Sequence, residues 1–361
     1  MKTAILYGGR SGEHEVSLIS AASVLRHLPA SYEPILIGID RTGVWYLQPR
    51  DAVEAARSGS GPLGILSDGS RIVAAVPGRG LALLSGEPIP VDVVLPVLHG
   101  TFGEDGTIQG LLETAGLAYA GADVLGSAVA MDKEVSKALW SRAGLPVPPF
   151  RTVRPADLEP DRFSALAKDL EASFGYPMFV KPACAGSSVG TSKIQNAGDL
   201  LPALRSALEW GSKALVEPFL TARELECSVV GNEEPRAYPP GEIVSSHEFY
   251  DYDAKYLDPN GAALLIPAPI PEETSRSVMD IAVRAYKLAA LSGMARIDFF
   301  LDRKDGRIYL NEANTIPGFT HISMFPKMCE SGGLPYPELL DLIARLGIRR
   351  KREKDGIRYL R

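Results

Sequence analysis

The segment YLNEANT, residues 309–315, ends an apolar run typical of a strand with two polar side chains at alternate positions. Because strand side chains alternate between faces, Glu312 and Asn314 are expected to point the same way. Carboxylate and amide oxygens suit a small divalent cation such as Mg²⁺. Glu-x-Asn alone is more typical of a polar strand end before a turn, so a metal site requires further ligands.

A second strand, ARIDFFL, supplies candidates for those ligands, with Arg296 and Asp298 on one face. The turn at Asp305–Gly306 is expected to fold this strand against the first as a hairpin. Asp298, Glu312 and Asn314 would then converge as hard oxygen ligands, with room for water and substrate phosphates. Arg296, on the same face, is suited to stabilising a developing oxyanion. The alternative is an exposed charged hairpin, which is less favoured for the four residues together than for any one.

The segment VKPACAGSSVG has the composition of a phosphate-binding loop. Lys181 ends a predicted strand, and the small residues after it let backbone N–H groups approach an anion closely. Lys181 would act as a point charge on phosphate oxygens. The alternative is a flexible hairpin with a surface lysine. The GSSVG within this segment also fits a hydrolase nucleophile motif, but that motif must lead into a helix, and GTSKI is typical of a strand.

The composition fits a large framework for these groups. The chain has 361 residues, 45% hydrophobic and 23% charged, as in ordinary globular proteins of two or three domains. Its net charge of -6 gives no general attraction to nucleic acid or to anionic membrane. Three scattered cysteines predict free thiols in a reducing compartment. With no signal peptide and no run of transmembrane length, we expect a cytoplasmic protein.

Hydrophobic periodicity predicts three α/β domains, at residues 1–121, 122–217 and 218–361. The first begins with a parallel strand–helix–strand unit and includes a later strand; the predicted elements are 3–7, 16–28, 35–39 and 91–98. The second opens with one long helix; its predicted elements are 124–143, 162–174, 178–181, 190–194, 197–210 and 214–217. The third has predicted elements at 224–230, 272–291, 294–301 and 308–311. A last helix precedes the basic tail RRKREKDGIRYLR, which we expect to be solvated or frayed.

Several separate segments together resemble the ATP-grasp superfamily and, within it, the D-alanine–D-alanine ligase family. They are GGRSGEHEVSLISA, LHGTFGEDG, MDKEVSK, VKPACAGSSVG, EPFLTARELE, DYDAKYL and ARIDFFL…YLNEANTIPGFTHISMFP. The resemblance covers residues 3–346 and implies an ATP-grasp fold with ATP between the central and C-terminal sheets. It also implies ligation of two D-alanine molecules through an acyl phosphate for peptidoglycan precursors. Two Mg²⁺ ions, with Mn²⁺ able to substitute, and a homodimer are further implications.

The resemblance also implies roles for individual positions. The implied ATP contacts are Lys133, Lys181, Ser188, Glu217, Phe219, Leu220, Glu224, Lys255, Phe300 and Asn311. The implied metal ligands are Asp298, Glu312 and Asn314, and the implied oxyanion hole is Arg296 with the Gly318 N–H. The implied D-alanine contacts are Glu15 and His99 for the first substrate, and Ser323 with Met324 for the second. Ser187 and Tyr256 would join Glu15 in a hydrogen-bonded triad that pins a lid loop over the site.

Alternatives stay open for individual residues and for the substrate. Glu15 would also suit a simple charge at a helix N-terminus, while His99 and Tyr256 would also suit ordinary turn and loop positions. The intact AKY, ending in Tyr256, favours an amine-bearing second substrate over D-lactate. D-Serine is only one hydroxyl larger than D-alanine, so it stays an alternative. A non-catalytic nucleotide-binding protein on the same scaffold is disfavoured, because it would not need the oxyanion group Arg296.

Overall fold

A computed structural model of the protein describes residues 1–59, 61–245, 262–320 and 322–358. The chain begins with the predicted parallel strand–helix–strand unit. The elements of the N-terminal part are β1 (Lys2–Gly8), α1 (His14–His27), β2 (Glu33–Ile39), β3 (Trp45–Leu47), α2 (Asp51–Ser58), β4 (Val73–Val76), β5 (Gly80–Leu83), β6 (Pro88–Ile89), β7 (Val93–Val97) and α3 (Thr107–Thr114). The first sheet has the order β3-β2-β1-β7, and a small three-stranded sheet has the order β4-β5-β6. A 3₁₀ turn, Gly69–Arg71, precedes β4.

Strand β1 is buried on both faces, as its continuous apolar run predicts. Ile5 and Tyr7 join the hydrophobic cluster that includes Leu25 of α1. Ala4 joins a separate cluster with Leu112 of α3. Because β1 pairs in parallel with both β2 and β7, the loops that follow β1 and β7 leave from the same edge of the sheet. Those two loops carry GGRSGEHE and HGTFGEDG.

The prediction of one long helix at 124–143 is wrong, because the structure has two helices there, α4 (Val124–Met131) and α5 (Lys133–Arg142). Asp132 lies between them with an extended backbone, φ -88° and ψ 101°. Its carboxylate accepts hydrogen bonds from the N–H groups of Glu134 and Val135, at 3.0 and 3.2 Å. An aspartate at this position caps a new helix better than it continues an old one. The break makes Lys133 the first residue of α5.

The central sheet is antiparallel and has the order β10-β9-β11-β8. Its elements are β8 (Arg151–Val153), a 3₁₀ turn (Pro155–Leu158), α6 (Pro160–Phe174), β9 (Met178–Pro182), β10 (Ser192–Ile194), α7 (Ala197–Glu209) and β11 (Ala214–Pro218). Val180 and Val216 pack into one cluster with Leu170 of α6 and Leu204 of α7. Since strand side chains alternate, Lys181 and Glu217 face away from these helices.

The C-terminal sheet has the order β15-β14-β12-β16-β17, with β13 also paired to β12. The elements of this part are β12 (Ala222–Val230), β13 (Arg236–Ala237), β14 (Gly241–Ser245), β15 (Ala262–Leu265), α8 (Glu272–Leu288), β16 (Met294–Asp302), β17 (Ile308–Asn314), α9 (Met324–Ser331) and α10 (Tyr336–Asp355). The predicted hairpin between β16 and β17 is confirmed, and Gly306 has the expected positive φ of 70°. Helix α8 packs on one face, and Trp140 of α5 donates to the Ala285 carbonyl at 3.1 Å.

The basic tail is not frayed as far as Asp355, because α10 continues through it, and Arg350 is the one buried residue in an otherwise exposed or half-exposed stretch of its described part. Arg350 is buried and donates to the carbonyls of Gly121 and Tyr119 and to the Ser292 hydroxyl. Gly347 permits the close approach of α10, since a Cβ there would lie 2.2 Å from the Tyr119 oxygen. The tail therefore joins the end of the first sheet region to the loop before β16.

The α/β class predicted from sequence is confirmed, whereas the domain limits at 121 and 217 stay a prediction. Helices α4 and α5 pack on the core of the C-terminal sheet, through Ala130 and Trp140. The core of the central sheet contains no described residue before Val153. None of the three cysteines forms a disulfide bond. Within the described ranges, no helix is both long and apolar enough to cross a membrane.

Candidate active site

A cavity of about 870 Å³ lies where the central sheet, the C-terminal sheet and the loops of the first sheet meet. This volume is in the range of pockets that bury a small-molecule ligand. All of the predicted site residues that the structure describes line this cavity, except Glu15. Lys255 and Tyr256 lie outside the described residues. The cavity is therefore the place where the site must be built.

Lys181 and Glu217 form the floor of the cavity on the side of the central sheet, and Lys137 lies buried beneath them. Glu217 of β11 lies beside Lys181 of β9, with 2.9 Å between Oε2 and Nζ. Its other oxygen, Oε1, lies 2.8 Å from Nζ of Lys137, a side chain of α5 with no exposed surface. Lys181 also donates to Oδ1 of Asn311 at 3.1 Å. Lys181 is thus held from both sheets and ends in the cavity.

Burial and neighbouring charges act in opposite directions on the pKa values of Glu217 and Lys137. Burial alone raises the pKa of Glu217, but the charges of Lys137 and Lys181 outweigh it and lower the pKa to about 2. Burial lowers the pKa of Lys137 to about 8, although Glu217 acts in the opposite direction. Glu217 is therefore ionised at neutral pH, and the two lysines share its single negative charge.

The loop after β9 has the backbone of an anion-binding site. Ser187 and Ser188 both have positive φ, 49° and 59°, which turns consecutive N–H groups toward one side. At Gly186 an added Cβ would lie 3.2 Å from the Glu13 carboxylate, so the loop approaches the first sheet closely. Lys133 donates to the Ala185 carbonyl at 2.7 Å and fixes the loop to α5. Amide and hydroxyl donors with a lysine at each side suit the phosphates of a nucleotide.

The three predicted metal ligands lie on one surface of the β16–β17 hairpin. Asp298 is directly paired with Glu312 in the register of the two strands, and Arg296 with Asn314. The Asn314 amide donates to Oδ2 of Asp298 at 2.9 Å. Glu312 also lies 3.0 Å from Nζ of Lys133. The hairpin therefore brings together two carboxylates and an amide, as its sequence predicts.

A β-bulge adds a fourth polar side chain that alternation alone would exclude. The register passes from Asp298–Glu312 to Phe299–Leu310, so Asn311 is the extra residue on β17. Strict alternation would place Asn311 and Glu312 on opposite faces. The bulge re-aims a side chain locally, and both residues line the cavity. Asn311 can therefore accept from Lys181 across the two sheets.

Arg296 lies at the centre of the carboxylate group. It donates twice to Asp298, at 2.7 Å from Nε and from Nη2, and its Nε lies 3.1 Å from Glu226. Burial alone would lower the pKa of this guanidinium, but the charges of Asp298 and Glu226 raise it well above its ordinary value. Arg296 thus stays charged in a buried position, where a fixed cation interacts strongly with a developing negative charge.

The donor set fits a hard divalent cation. Asp298, Glu312 and Asn314 supply oxygen atoms, and Asn314 would present Oδ1 after rotation of its amide, which now donates to Asp298. No group of three or more His, Cys, Asp or Glu side chains suited to a metal occurs among the described residues. A site with two carboxylates, one amide and positions left for water and phosphate is the composition that Mg²⁺ prefers.

The prediction for Glu15 is wrong, and the residue that reaches the cavity is Glu13. Ser187 donates from Oγ to Oε1 of Glu13 at 2.5 Å. Glu15 lies on the outer face of α1, where it forms an exposed ion pair with Arg41. Glu13 precedes the first turn of α1 in a non-helical conformation, with φ -98° and ψ 21°. Because Glu13 lies outside the helix, the periodicity of α1 does not set the direction of its side chain.

Glu104 is a cavity residue that sequence reasoning missed. Its carboxylate accepts from the N–H groups of Gly100 and Ile316, at 2.9 and 3.0 Å. Burial raises its pKa to about 7, and the charge of Glu13 acts in the same direction. The available signal was the acidic pair in HGTFGEDG, directly after a predicted strand end. His99 from the same segment is also buried, its pKa is lowered by burial, and its Nδ1 is 3.0 Å from the Ile316 carbonyl.

The start of α9 forms the wall opposite the phosphate loop. Ser323 is the residue before the helix, and its hydroxyl oxygen accepts from the Thr320 N–H at 2.9 Å. A Cβ at Gly318 would lie only 2.6 Å from this hydroxyl oxygen, so a larger residue there would force the Ser323 side chain to move. Free N–H groups at a helix start attract anions. Ser323 and Met324 line the cavity, where they suit a carboxylate.

Aromatic side chains form an apolar end to the cavity. Phe219 stacks on Phe179, with 6.4 Å between ring centroids, and Lys193 lies 4.1 Å above the Phe219 ring. Phe300 of β16 lines the same cavity. Flat apolar walls next to the backbone of 217–220 suit a purine base, because strand-like backbone offers both donors and acceptors.

The sequence matches two family models that together span most of the chain. The model described as D-ala D-ala ligase N-terminus matches residues 2–122, and the model described as D-ala D-ala ligase C-terminus matches residues 139–345. A D-alanine–D-alanine ligase from Treponema denticola is 47% identical over 355 residues, which cover 97% of this chain and 96% of that protein.

Solved structures with the same fold include two ligases. The D-alanine–D-alanine ligase from Coxiella burnetii has a TM-score of 0.85 at 35% identity, covering 98% of this chain and 97% of that one. The VanG D-Ala:D-Ser ligase from Enterococcus faecalis has a TM-score of 0.84 at 35% identity, covering 96% and 99%. The similarity extends over nearly the whole of each chain, since so little of either chain is left uncovered.

Proposed function

The chain belongs to the D-alanine–D-alanine ligase family, whose fold is ATP-grasp, and we propose how its cavity carries out that reaction. The family joins two D-alanine molecules at the expense of ATP, for peptidoglycan precursors, and this is the activity of the chain. The observation that supports the residue assignments is the cavity itself, in which phosphate-binding, cation-binding and oxyanion-binding groups converge.

ATP lies between the central and C-terminal sheets in this proposal. The base lies against Phe219 and Phe300, with backbone groups of 217–220 at its edge and Glu224 at the ribose. The phosphates reach Lys133, Lys181 and the amides of Ser187 and Ser188. Both lysines are held by carboxylates in the structure, at 3.0 and 2.9 Å, so their ammonium groups already point into the cavity. Lys255 belongs to the same set but lies outside the described residues.

A divalent cation would be held by Asp298, Glu312 and Asn314. When bound, such a cation offsets the negative charge of the phosphate oxygens. We propose Mg²⁺ in two sites that share Glu312, with Mn²⁺ able to substitute. The oxygen-only donor set supports hard cations of this kind over zinc, which prefers sulfur and nitrogen ligands.

The first D-alanine places its ammonium at Glu13 and its carboxylate toward the γ-phosphate. A carboxylate oxygen attacks the γ-phosphorus, the bond to ADP breaks, and an acyl phosphate forms. Glu13 takes the position that the sequence assigned to Glu15, because it is Glu13 that Ser187 contacts. His99 and Glu104 line the same end of the cavity. Tyr256, which would complete the contact from the lid loop, lies outside the described residues.

The second D-alanine binds through its carboxylate to Ser323 and the N–H of Met324. Its amine attacks the acyl carbonyl, and the resulting tetrahedral oxyanion lies against Arg296 and the Gly318 N–H. Phosphate then leaves and the amine proton is lost, giving the dipeptide. No covalent enzyme intermediate is required. Cys184 therefore has no role in the reaction.

The test is to measure phosphate release and dipeptide formation together, with ATP, Mg²⁺ and one amino acid at a time. We expect equal amounts of phosphate and D-alanyl-D-alanine with D-alanine, and neither product with L-alanine. D-Serine and D-lactate, each added with D-alanine, measure the choice of second substrate, and we expect both to be poor. Equal turnover with L-alanine, or ATP hydrolysis that needs no amino acid, would refute the assignment. Gel filtration with light scattering tests the proposed homodimer.

A further inference from the structure

Lys137 is a buried charge that the proposed reaction does not use. It lies one helical turn after Lys133 on α5, and the two side chains face the same direction. Lys133 reaches the cavity, whereas Lys137 does not line it. The side chain of Lys137 has no exposed surface. A fully buried lysine is rare, because taking an ammonium out of water is costly unless it is paired.

The partner of Lys137 is the carboxylate that also holds Lys181. Glu217 presents Oε1 to Lys137 at 2.8 Å and Oε2 to Lys181 at 2.9 Å. The two ammonium groups and one carboxylate leave one net positive charge at the floor of the cavity. Without Lys137, the pair of Glu217 and Lys181 would be neutral. The full negative charge of Glu217 would then neutralise Lys181, and the neutral pair would attract phosphate only weakly.

From this arrangement we propose that Lys137 is a positioning residue for the nucleotide, which acts through Glu217 to keep the ammonium of Lys181 available for phosphate. The proposal rests on the proposed function, because it deepens the role of the ATP site. Lys137 itself touches no substrate. Its effect is electrostatic and passes through one carboxylate, in a buried environment where charges are poorly screened and therefore interact strongly.

A purely structural role is the competing explanation, in which Lys137 only fixes α5 to β11. The two explanations differ in what restores function. If Lys137 acts through charge, removing the charges of both Lys137 and Glu217 leaves Lys181 with its net positive charge, and nucleotide affinity recovers. If Lys137 acts only as a link between α5 and β11, removing both groups leaves that link broken, and nucleotide affinity does not recover. The double variant K137M/E217Q therefore separates them.

The experiment compares wild type, K137M and K137M/E217Q, with R142M as the matched control on an exposed position of the same helix. Affinity for ADP with Mg²⁺ is measured by calorimetry, and KM for ATP and for D-alanine by phosphate release. We expect K137M to weaken ADP binding and raise KM for ATP by about tenfold or more, the loss of roughly one charge-assisted contact. KM for D-alanine should change less than about twofold, because the amino acid subsites are not in contact with Glu217.

We expect K137M/E217Q to recover at least about half of the lost binding free energy, which corresponds to roughly a threefold tightening of the K137M affinity. R142M should match wild type. Nucleotide affinity in K137M equal to that of wild type would overturn the inference, as would a double variant no better than K137M. If K137M does not fold, K137M/E217Q is compared with wild type instead, because it keeps the ammonium of Lys181 and removes the two other charges. ADP affinity within about threefold of wild type then supports the inference, and a loss of about tenfold or more overturns it. Failure of wild type to turn over ATP with D-alanine would instead refute the proposed function.

Discussion

The two glutamates of GEHEVS provide a matched test of how the first substrate is held. Glu13 lines the cavity and accepts a hydrogen bond from Ser187 at 2.5 Å. Glu15, two residues later, has 55% of its side chain exposed and pairs with Arg41 at the surface. Replacing each glutamate with glutamine keeps the size of the side chain and removes its charge. The variants E13Q and E15Q therefore differ only in where the lost charge lies.

The expected magnitude follows from the contacts. A hydrogen bond to a charged group contributes about 1.5–3 kcal/mol, so E13Q should lower kcat/KM for D-alanine by roughly 10- to 150-fold. The loss of the substrate ammonium contact adds to this value. An exposed ion pair contributes little, so E15Q should change kcat/KM by less than about twofold. E15Q should leave KM for ATP within about twofold of wild type, because Glu15 does not line the cavity, whereas E13Q also removes the partner of Ser187 in the phosphate loop.

The assay is initial phosphate release over a range of D-alanine concentrations at saturating ATP and Mg²⁺, with thermal unfolding to confirm that both variants fold. A large loss in E15Q with a normal E13Q would mean that the substrate approaches α1 from its outer face. That result would refute the placement of the substrate in the cavity. Equal moderate losses would show that net charge, rather than contact, explains the effect.

Two further predictions concern the cation site and the C-terminal helix. E312Q should abolish phosphate release at every Mg²⁺ concentration while the protein stays folded, because a neutral amide cannot replace the shared carboxylate ligand; near-normal activity at high Mg²⁺ would contradict the site. R350A should lower the free energy of unfolding by about 2–4 kcal/mol in urea titration, because it leaves two buried carbonyls unpaired. R352A, an exposed position on the same helix, should change it by less than about 0.5 kcal/mol; equal effects of the two variants would contradict the clamp.

The parts of the fold that depend on local pattern could be predicted from the sequence. Strand alternation and a glycine turn are properties of neighbouring residues, so the surface of Asp298, Glu312 and Asn314 followed from them. The break before Lys133 was missed because the apolar period continues across Asp132. The capping signal was present, since an aspartate preceded a charged first turn, but the periodicity outweighed it.

The parts that depend on distant residues could not be predicted. The buried position of Arg350 depends on carbonyls of Tyr119 and Gly121, more than two hundred residues away in the chain. A run of basic residues is usually solvated, and nothing within the run marks the residue that is not. The bulge at Asn311 is likewise a property of the pairing of β17 with β16, and alternation along β17 gives the opposite face.

The cations of the cavity are not free in the structure, and this has a consequence for how the substrates enter. Lys133 is paired with Glu312 at 3.0 Å, and Lys181 with Glu217 at 2.9 Å. A phosphate that takes Lys133 removes from Glu312 the ammonium that lies 3.0 Å away in a partly buried position, which is costly. A divalent cation that takes Glu312 leaves Lys133 in the same condition. When phosphate binds Lys133 and the cation binds Glu312 together, neither residue loses its opposite charge, so nucleotide and cation are expected to bind far better together than either does alone.

Lys181 cannot exchange its partner in this way, because its carboxylate, Glu217, lies beneath it, away from the cation ligands. Lys137 supplies the opposite charge to Glu217 when Lys181 binds phosphate. The Lys133–Glu312 pair therefore depends on the bound cation, whereas the Lys181–Glu217 pair depends on Lys137.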